Sequence, residues 1–220
     1  MSRESVTVNP AAKRIEKDLA KFKADQAAQA MYHIEPESED DIFQLKGYVY
    51  GPPDTPYQGG VFHLKMTVPN DYPFRPPVCK MTTKVWHPNI GEAGSICLDT
   101  LSGKWTAAMS IRTAMMSIQA LLSTPNSDSG LNGTVTYLMN KDREAYQKTA
   151  TFWTYHYAVV NKTEQMMADN APMEAMISQV MAQTGIGYEE ALKSLSYNCW
   201  KIPETLAAVD RRAKVKVARR

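Results

Sequence analysis

The chain has 220 residues, 44% of them hydrophobic, and 25 basic against 23 acidic side chains give a net charge of +2. That length holds one domain of about 150 residues plus a small addition, and the near-balance of charge argues against a nucleic-acid binder. No run of 18 apolar residues exists, and the first residues lack the apolar stretch of a secretory leader, so neither a membrane span nor export is expected.

Asn9-Pro10 reads as a helix cap followed by proline at the first helical position, and Ile15, Leu19 and Phe22 then recur at helical spacing. Lys13, Arg14, Lys17 and Lys21 fall on the remaining surface of that helix. From Ile42 the period changes to two: Phe43, Leu45, Gly47 and Val49 alternate as in a half-buried strand. Gly51 to Pro56 is a dense turn cluster, closed by Gly59-Gly60, after which Phe62, Leu64, Met66 and Val68 alternate again. A further turn spans Asn70 to Phe74, and a short strand runs from Val78 to Thr82. Strands joined this closely favour an antiparallel meander.

Lys84 to Lys104 carries three glycines and little periodicity, and a long aperiodic loop inside a compact domain is usually functional. Ser110 can cap a helix with the core stripe Ile111, Ala114, Met115, Ile118 and Leu122, leaving Thr113, Met116 and Ala120 off that stripe. Thr124 to Gly130 is a loop, and Tyr146, Ala150, Trp153 and Tyr157 mark another amphipathic helix. Ala171-Pro172 is the expected boundary of a second, three-helix unit, with Gly185 ending its first helix and Ile202-Pro203 opening its third. The last ten residues hold six cations and no acid, and are expected to form a solvated tail.

Three cysteines, Cys79, Cys97 and Cys199, are odd in number and widely spaced, which points to a reducing compartment, cytoplasmic or nuclear. Cys79 lies in a strand pattern and reads as core; Cys199 reads as structural. Cys97 follows Asn89 by eight residues in the glycine-bearing loop. A thiol beside a side-chain amide suits acyl transfer: sulfur holds an acyl group as a thioester, and the amide can donate to the oxyanion that forms when an amine attacks. A metal site built from Cys79, His87 and Cys97 is not expected, because no ligand pair stands at short spacing.

These residues carry a resemblance. Tyr57-Gln58-Gly59-Gly60-Val61-Phe62, Tyr72-Pro73-Phe74-Arg75-Pro76-Pro77, His87-Pro88-Asn89 and Cys97-Leu98-Asp99 with Trp105 downstream are together similar to a ubiquitin-conjugating enzyme. The stretch Trp105 to Leu122 resembles the subclass with a C-terminal ubiquitin-associated (UBA) domain. The resemblance implies an α+β chain of the ubiquitin-conjugating (UBC) fold: an N-terminal helix, a four-stranded antiparallel meander and C-terminal helices, plus a small three-helix UBA-like domain. The implied divisions are a catalytic core over 8–158, a linker over 159–171, the UBA-like domain over 172–211 and a basic tail over 212–220.

It also implies roles. Cys97 would accept ubiquitin from a ubiquitin-activating enzyme and pass it to a lysine amine or a ligase cysteine, building polyubiquitin chains for proteasomal degradation. No cofactor is expected, since the activating enzyme spends the ATP. Asn89 would donate to the oxyanion or brace the loop, His87 would be structural, and Asp99 would gate the thiol. Ser129, with Asp128 beside it, would position the incoming lysine. Lys13, Arg14 and Lys17 would meet the activating enzyme and, overlapping it, the ligases, and Phe74 and Ala108 would meet RING or HECT-type ligases. Thr113, Met116 and Ala120 would hold the donor ubiquitin. In the UBA-like loop, Thr184-Gly185-Ile186 keeps the turn glycine but lacks the usual aromatic residue, which leaves ubiquitin binding there open. The alternatives are a carrier of another ubiquitin-like modifier and an inactive ubiquitin-binding variant. Neither a nucleic-acid partner nor a membrane is implied.

Overall fold

A computed structural model describes residues 9–218, apart from the side chains of residues 216 and 217. Helix α1 (Pro10–Ala24) opens as its sequence requires. The Asn9 side-chain oxygen accepts from the Ala11 N–H at 2.9 Å, and Pro10 stands where its missing N–H costs nothing. Ala11, Ile15, Leu19 and Phe22 are its buried stripe. A single turn, α2 (Gln26–Gln29), leads into the sheet.

Strands β1 (Tyr32–Pro36), β2 (Gln44–Tyr50), β3 (Val61–Thr67) and β4 (Val78–Met81) pair antiparallel in chain order, the expected meander. Leu45 stands opposite Met66 and Val49 opposite Phe62, so one face of the sheet is apolar throughout. That face, α1 and α3 (Ile111–Ser123) share one core. Strand β1 left almost no mark on the sequence, because Tyr32 and Ile34 are its only buried positions.

Ser110 and Thr113 form a reciprocal capping box that starts α3. Two helices follow, α4 (Gly133–Lys141) and α5 (Arg143–Tyr157), capped by Asn132 and Asp142.

The C-terminal region departs from the expected divisions. Helix α6 (Glu164–Thr184) begins well before residue 172, capped by Thr163, and runs through Pro172. Most of the expected linker over 159–171 is therefore helical. The residues around Pro172 are strong helix formers (Met166, Met167, Ala168, Met173, Glu174, Ala175) and offset the one backbone bond a proline removes. Gly185 ends α6 in the left-handed conformation, φ +71°, which glycine adopts without a Cβ penalty. Helices α7 (Tyr188–Tyr197) and α8 (Ile202–Ala218) complete the unit. Helix α8 takes in most of the expected tail over 212–220; residues 8, 219 and 220 lie outside the described residues.

A second core joins α6, α7 and Trp200 to Phe152, which α5 contributes. Two indole hydrogen bonds reinforce the seam: Trp200 Nε1 donates to Thr149 Oγ1 at 3.0 Å, and Trp153 Nε1 to Ser196 Oγ at 2.8 Å. The three C-terminal helices are thus built onto α5.

Candidate active site

The loop between β4 and α3 is shaped by short-range ties. Gly94 has φ +85°, and a Cβ there would stand 1.9 Å from the Met81 carbonyl oxygen, so only glycine fits. Its carbonyl accepts from the Met81 N–H at 2.8 Å, which pins the loop to β4. The turn then closes with Gly91 N–H donating to Ser95 O at 2.9 Å. Two residues later the Cys97 N–H donates to the Asn89 carbonyl at 2.9 Å. The two residues singled out in the sequence are therefore joined through their backbones, with Cys97 half-buried at the loop surface.

Asn89 is fully buried, and its amide is committed. Nδ2 donates to Asn126 O at 2.7 Å and reaches Ser129 O at 3.2 Å and Ser129 Oγ at 3.3 Å; Oδ1 accepts from the Asn126 N–H at 2.8 Å. The Asn89 side chain thus ties its own loop to the 126–129 limb, which its donors face. A one-turn 3-10 helix (Ser127–Ser129) carries Ser129 next to it, while Asp128 is exposed. Asn126 went unnoticed in the sequence; its signal was a Pro-Asn-Ser-Asp turn, in which Asn126 Oδ1 accepts from the Asp128 N–H at 2.9 Å.

His87 is buried and fixed by two backbone groups. The Asn89 N–H donates to Nδ1 at 3.0 Å, so the ring proton resides on Nε2, which donates to Leu121 O at 3.0 Å. Burial pushes its pKa down to about 4, against the raising effect of the Leu121 carbonyl. It is a neutral ring spanning the turn and the end of α3. Behind it, Tyr57 OH donates to Trp86 O at 2.8 Å and lies 2.8 Å from Tyr146 OH. The Tyr57-Gln58-Gly59-Gly60 motif therefore props the residue that precedes His87.

Asp99 lies on the exposed rim, in a 3-10 turn (Asp99–Leu101), and pairs with Lys104 Nζ at 2.5 Å; that ammonium holds its carboxyl below the usual range. Burial alone raises the Cys79 thiol to about 12, in keeping with a core cysteine. Among the described residues no cluster of three metal-ligating side chains occurs, and no helix is long and apolar enough to cross a membrane.

The outer residues divide. Lys13 and Lys17 are exposed on α1. Arg14 turns inward instead: Nε donates to Asp18 at 3.2 Å and its NH2 group to Met109 O at 2.9 Å, because buried Asp18 needs a cation. Asp18 also accepts from Tyr72 OH at 2.6 Å, tying α1 to the proline-rich turn. Phe74 is 79% exposed, and Trp105 Nε1 donates to Pro73 O at 2.7 Å, which sets its turn beside the loop that carries exposed Ala108. On α3, Met116 and Ala120 face solvent, while the Thr113 hydroxyl is taken up by the capping box. Thr184 is the last residue of α6, and Gly185 and Ile186 open the turn to α7, with Ile186 packed on the second core.

Comparison with known proteins agrees with this arrangement. Residues 14–154 match the sequence family described as ubiquitin-conjugating enzyme. The chain is 36% identical over 185 residues to ubiquitin-conjugating enzyme E2 21 of Caenorhabditis elegans, covering 83% of each protein. Among solved structures it is similar to one described as a ubiquitin conjugating enzyme from Plasmodium yoelii, with 37% identity and a TM-score of 0.65 over 70% of this chain and 99% of that one. It is also similar to the E2 domain of a Toxoplasma gondii ubiquitin conjugating enzyme, with 38% identity and a TM-score of 0.61 over 66% of this chain and 97% of that one. With the meander, the His-Pro-Asn turn and the half-buried cysteine in place, these matches establish that the chain belongs to the ubiquitin-conjugating enzyme family, the ubiquitin carrier transferases.

Proposed function

We propose that Cys97 accepts the C-terminal carboxyl of ubiquitin from the activating enzyme and transfers it to a lysine amine or a ligase cysteine, extending polyubiquitin chains. One observation carries this reading: the half-buried Cys97, whose backbone N–H donates to Asn89 O at 2.9 Å, follows the residue whose side-chain amide secures the 126–129 limb.

The steps balance without a cofactor. The Cys97 sulfur attacks the carbonyl carbon of the incoming thioester; a new C–S bond forms, the old one breaks, and the departing sulfur takes up the proton that Cys97 releases. Exchanging one thioester for another is close to thermoneutral. In the second step a neutral amine attacks the same carbon, a C–N bond forms, the C–S bond breaks, and the amine's proton returns to the Cys97 sulfur through solvent. A free lysine is overwhelmingly protonated at pH 7, so placement and desolvation of the amine set the rate. Ser129 and the exposed Asp128 flank that approach and can accept from the amine. Asn89 serves as the brace for this limb; donation to the oxyanion requires one of its bonds to Ser129 to open. His87, neutral and spent on backbone bonds, takes no proton in the cycle.

Helices α6–α8 fit a UBA-like unit, with the left-handed glycine between the first two. Exposed Phe74 and Ala108 fit a ligase anchor, and Lys13 and Lys17 an activating-enzyme contact.

Incubation with activating enzyme, ATP and ubiquitin should give a band shift on a non-reducing gel that thiol reductant reverses and Cys97→Ala abolishes. A wild-type chain that forms no reducible adduct overturns the reading. An adduct with a different ubiquitin-like protein in place of ubiquitin assigns the carrier role to that modifier.

A further inference from the structure

We propose that Tyr197, on α7 of the C-terminal unit, is a positioning residue for the transfer step, because its hydroxyl fastens the loop that carries Cys97 to the limb that carries Ser129. The inference rests on the thioester reading of Cys97.

Tyr197 OH donates to Glu92 Oε1 at 2.7 Å and accepts from Asn132 Nδ2 at 2.9 Å. Glu92 sits in the tight turn between Asn89 and Cys97, where Gly94 N–H closes on Gly91 O at 2.8 Å. Asn132 lies three residues past Ser129. The N–H groups of Leu131 and Asn132 both point at Pro88 O, at 2.7 and 3.2 Å. One phenol thus bridges the thiol limb and the limb expected to meet the amine, on the outer side of the site. Asn89 bridges the same two limbs from the buried side.

The phenol is presented by a rigid body. Its ring packs edge-on against Trp86, with centroids 5.1 Å apart, directly before His87. Helix α7 is itself held by the shared second core. Lys193 Nζ stands 2.5 Å from Glu92 Oε2. That pair is exposed, so it adds little binding in water, but it keeps the Glu92 carboxylate turned toward Tyr197.

Loading requires an accessible thiol, whereas aminolysis requires the thiol limb and the amine-facing limb to be in register. Loss of the bridge should therefore slow the second step and spare the first. The Tyr197→Phe variant keeps the ring on Trp86 and deletes only the hydroxyl. In the full chain we expect ubiquitin loading at the wild-type rate. Single-turnover discharge onto free lysine should have a maximal rate about fivefold lower, with an unchanged half-saturating lysine concentration. Glu92→Ala should reproduce the loss, and the double variant should lose no more than either single one, since one bridge is removed in each case. Amide hydrogen exchange on the unloaded chain should quicken at Leu131 and Asn132 in Tyr197→Phe. Ser196→Ala cuts a different bond of the same seam; it should lower the thermal midpoint while leaving discharge and those two amides as they were.

Wild-type discharge and unaltered exchange in Tyr197→Phe overturn the proposal. So does a discharge loss in Ser196→Ala equal to that in Tyr197→Phe, which would mean that loosening the seam anywhere suffices. A wild-type chain that cannot be loaded is a failure at the earlier step and overturns the thioester reading itself, whereas the exchange measurement still tests the bridge.

Discussion

Asn89 and Asn126 are joined by a reciprocal pair of hydrogen bonds, Nδ2 to the Asn126 carbonyl at 2.7 Å and the Asn126 N–H to Oδ1 at 2.8 Å. A side-chain amide is here paired as a backbone amide would be in a sheet, and the 126–129 limb takes its place from that pairing. Asn89→Ala removes both partners of the part-buried Asn126 carbonyl and N–H, at a cost of about 2 kcal/mol in urea unfolding, about 1 for each bond. Freeing the limb should slow lysine discharge about a hundredfold while loading persists. Asn89→Asp should be as damaging as alanine, because a carboxylate repels the Asn126 and Ser129 carbonyls. An aspartate variant with near wild-type discharge would show that the brace is not what the amide supplies.

Much of this site was legible because local chemistry dictated it. The Asn9-Pro10 and Ser110 caps, the period-two runs of β2 and β3, and the lone thiol in a glycine-bearing loop are each specified within a few residues. What could not be read depends on contacts across the fold. Nothing near Arg14 shows that it turns toward Asp18 and Met109 O, because Asp18 gains its distant partners, Tyr72 OH and the Ile111 N–H, only in the folded chain. Phe152 follows the α5 pattern yet belongs to a second core made by helices that come later in the chain. Pro172 signals a boundary on propensity alone, and the surrounding helix formers override it. Tyr197, 65 residues from Asn132 and 105 from Glu92, has no local signature at all.

The pH dependence of stability follows from His87. Its pKa is about 4 in the folded chain and near 6.5 when unfolded. Between those values the unfolded chain binds a proton that the folded chain refuses. Stability is therefore full above pH 6.5 and declines as pH falls toward 4, by about 3 kcal/mol in total. His156, also lowered mainly by burial, acts with the same sign. Urea midpoints between pH 7.5 and 5 should fall accordingly. A His87→Gln variant should be less stable at pH 7.5 but show a flatter decline, and an undiminished slope in that variant would remove His87 from the account.

The three thiols should separate in alkylation. Cys79 is 8% exposed with its thiol pushed up to about 12, and burial also raises Cys199, aided by the charge of Asp142. Cys97 lies half-buried on the loop surface. Brief treatment with iodoacetamide at pH 8, read by peptide mass spectrometry, should label Cys97 ahead of Cys79 by more than about tenfold. Equal labelling of Cys79 would indicate that the β4 edge opens far more readily than its packing implies.

The seam between α5 and the C-terminal helices should make the chain unfold as one body. Phe152 is fully buried among residues of α6 and α7, and the Trp200 indole is spent on Thr149 of α5. A unit of this kind cannot melt without exposing the α5 face, and α5 cannot keep its packing without the unit. Scanning calorimetry of the wild-type chain should show one transition. Trp200→Ala removes a large buried ring and leaves Thr149 Oγ1 without its donor, a loss of about 3 to 4 kcal/mol, or about 10 °C in midpoint for a chain of this length. Two resolved wild-type transitions, with only the lower one moved by Trp200→Ala, would mean that the C-terminal helices ride on the catalytic core as a separable unit and cannot hold Tyr197 rigidly against its loops.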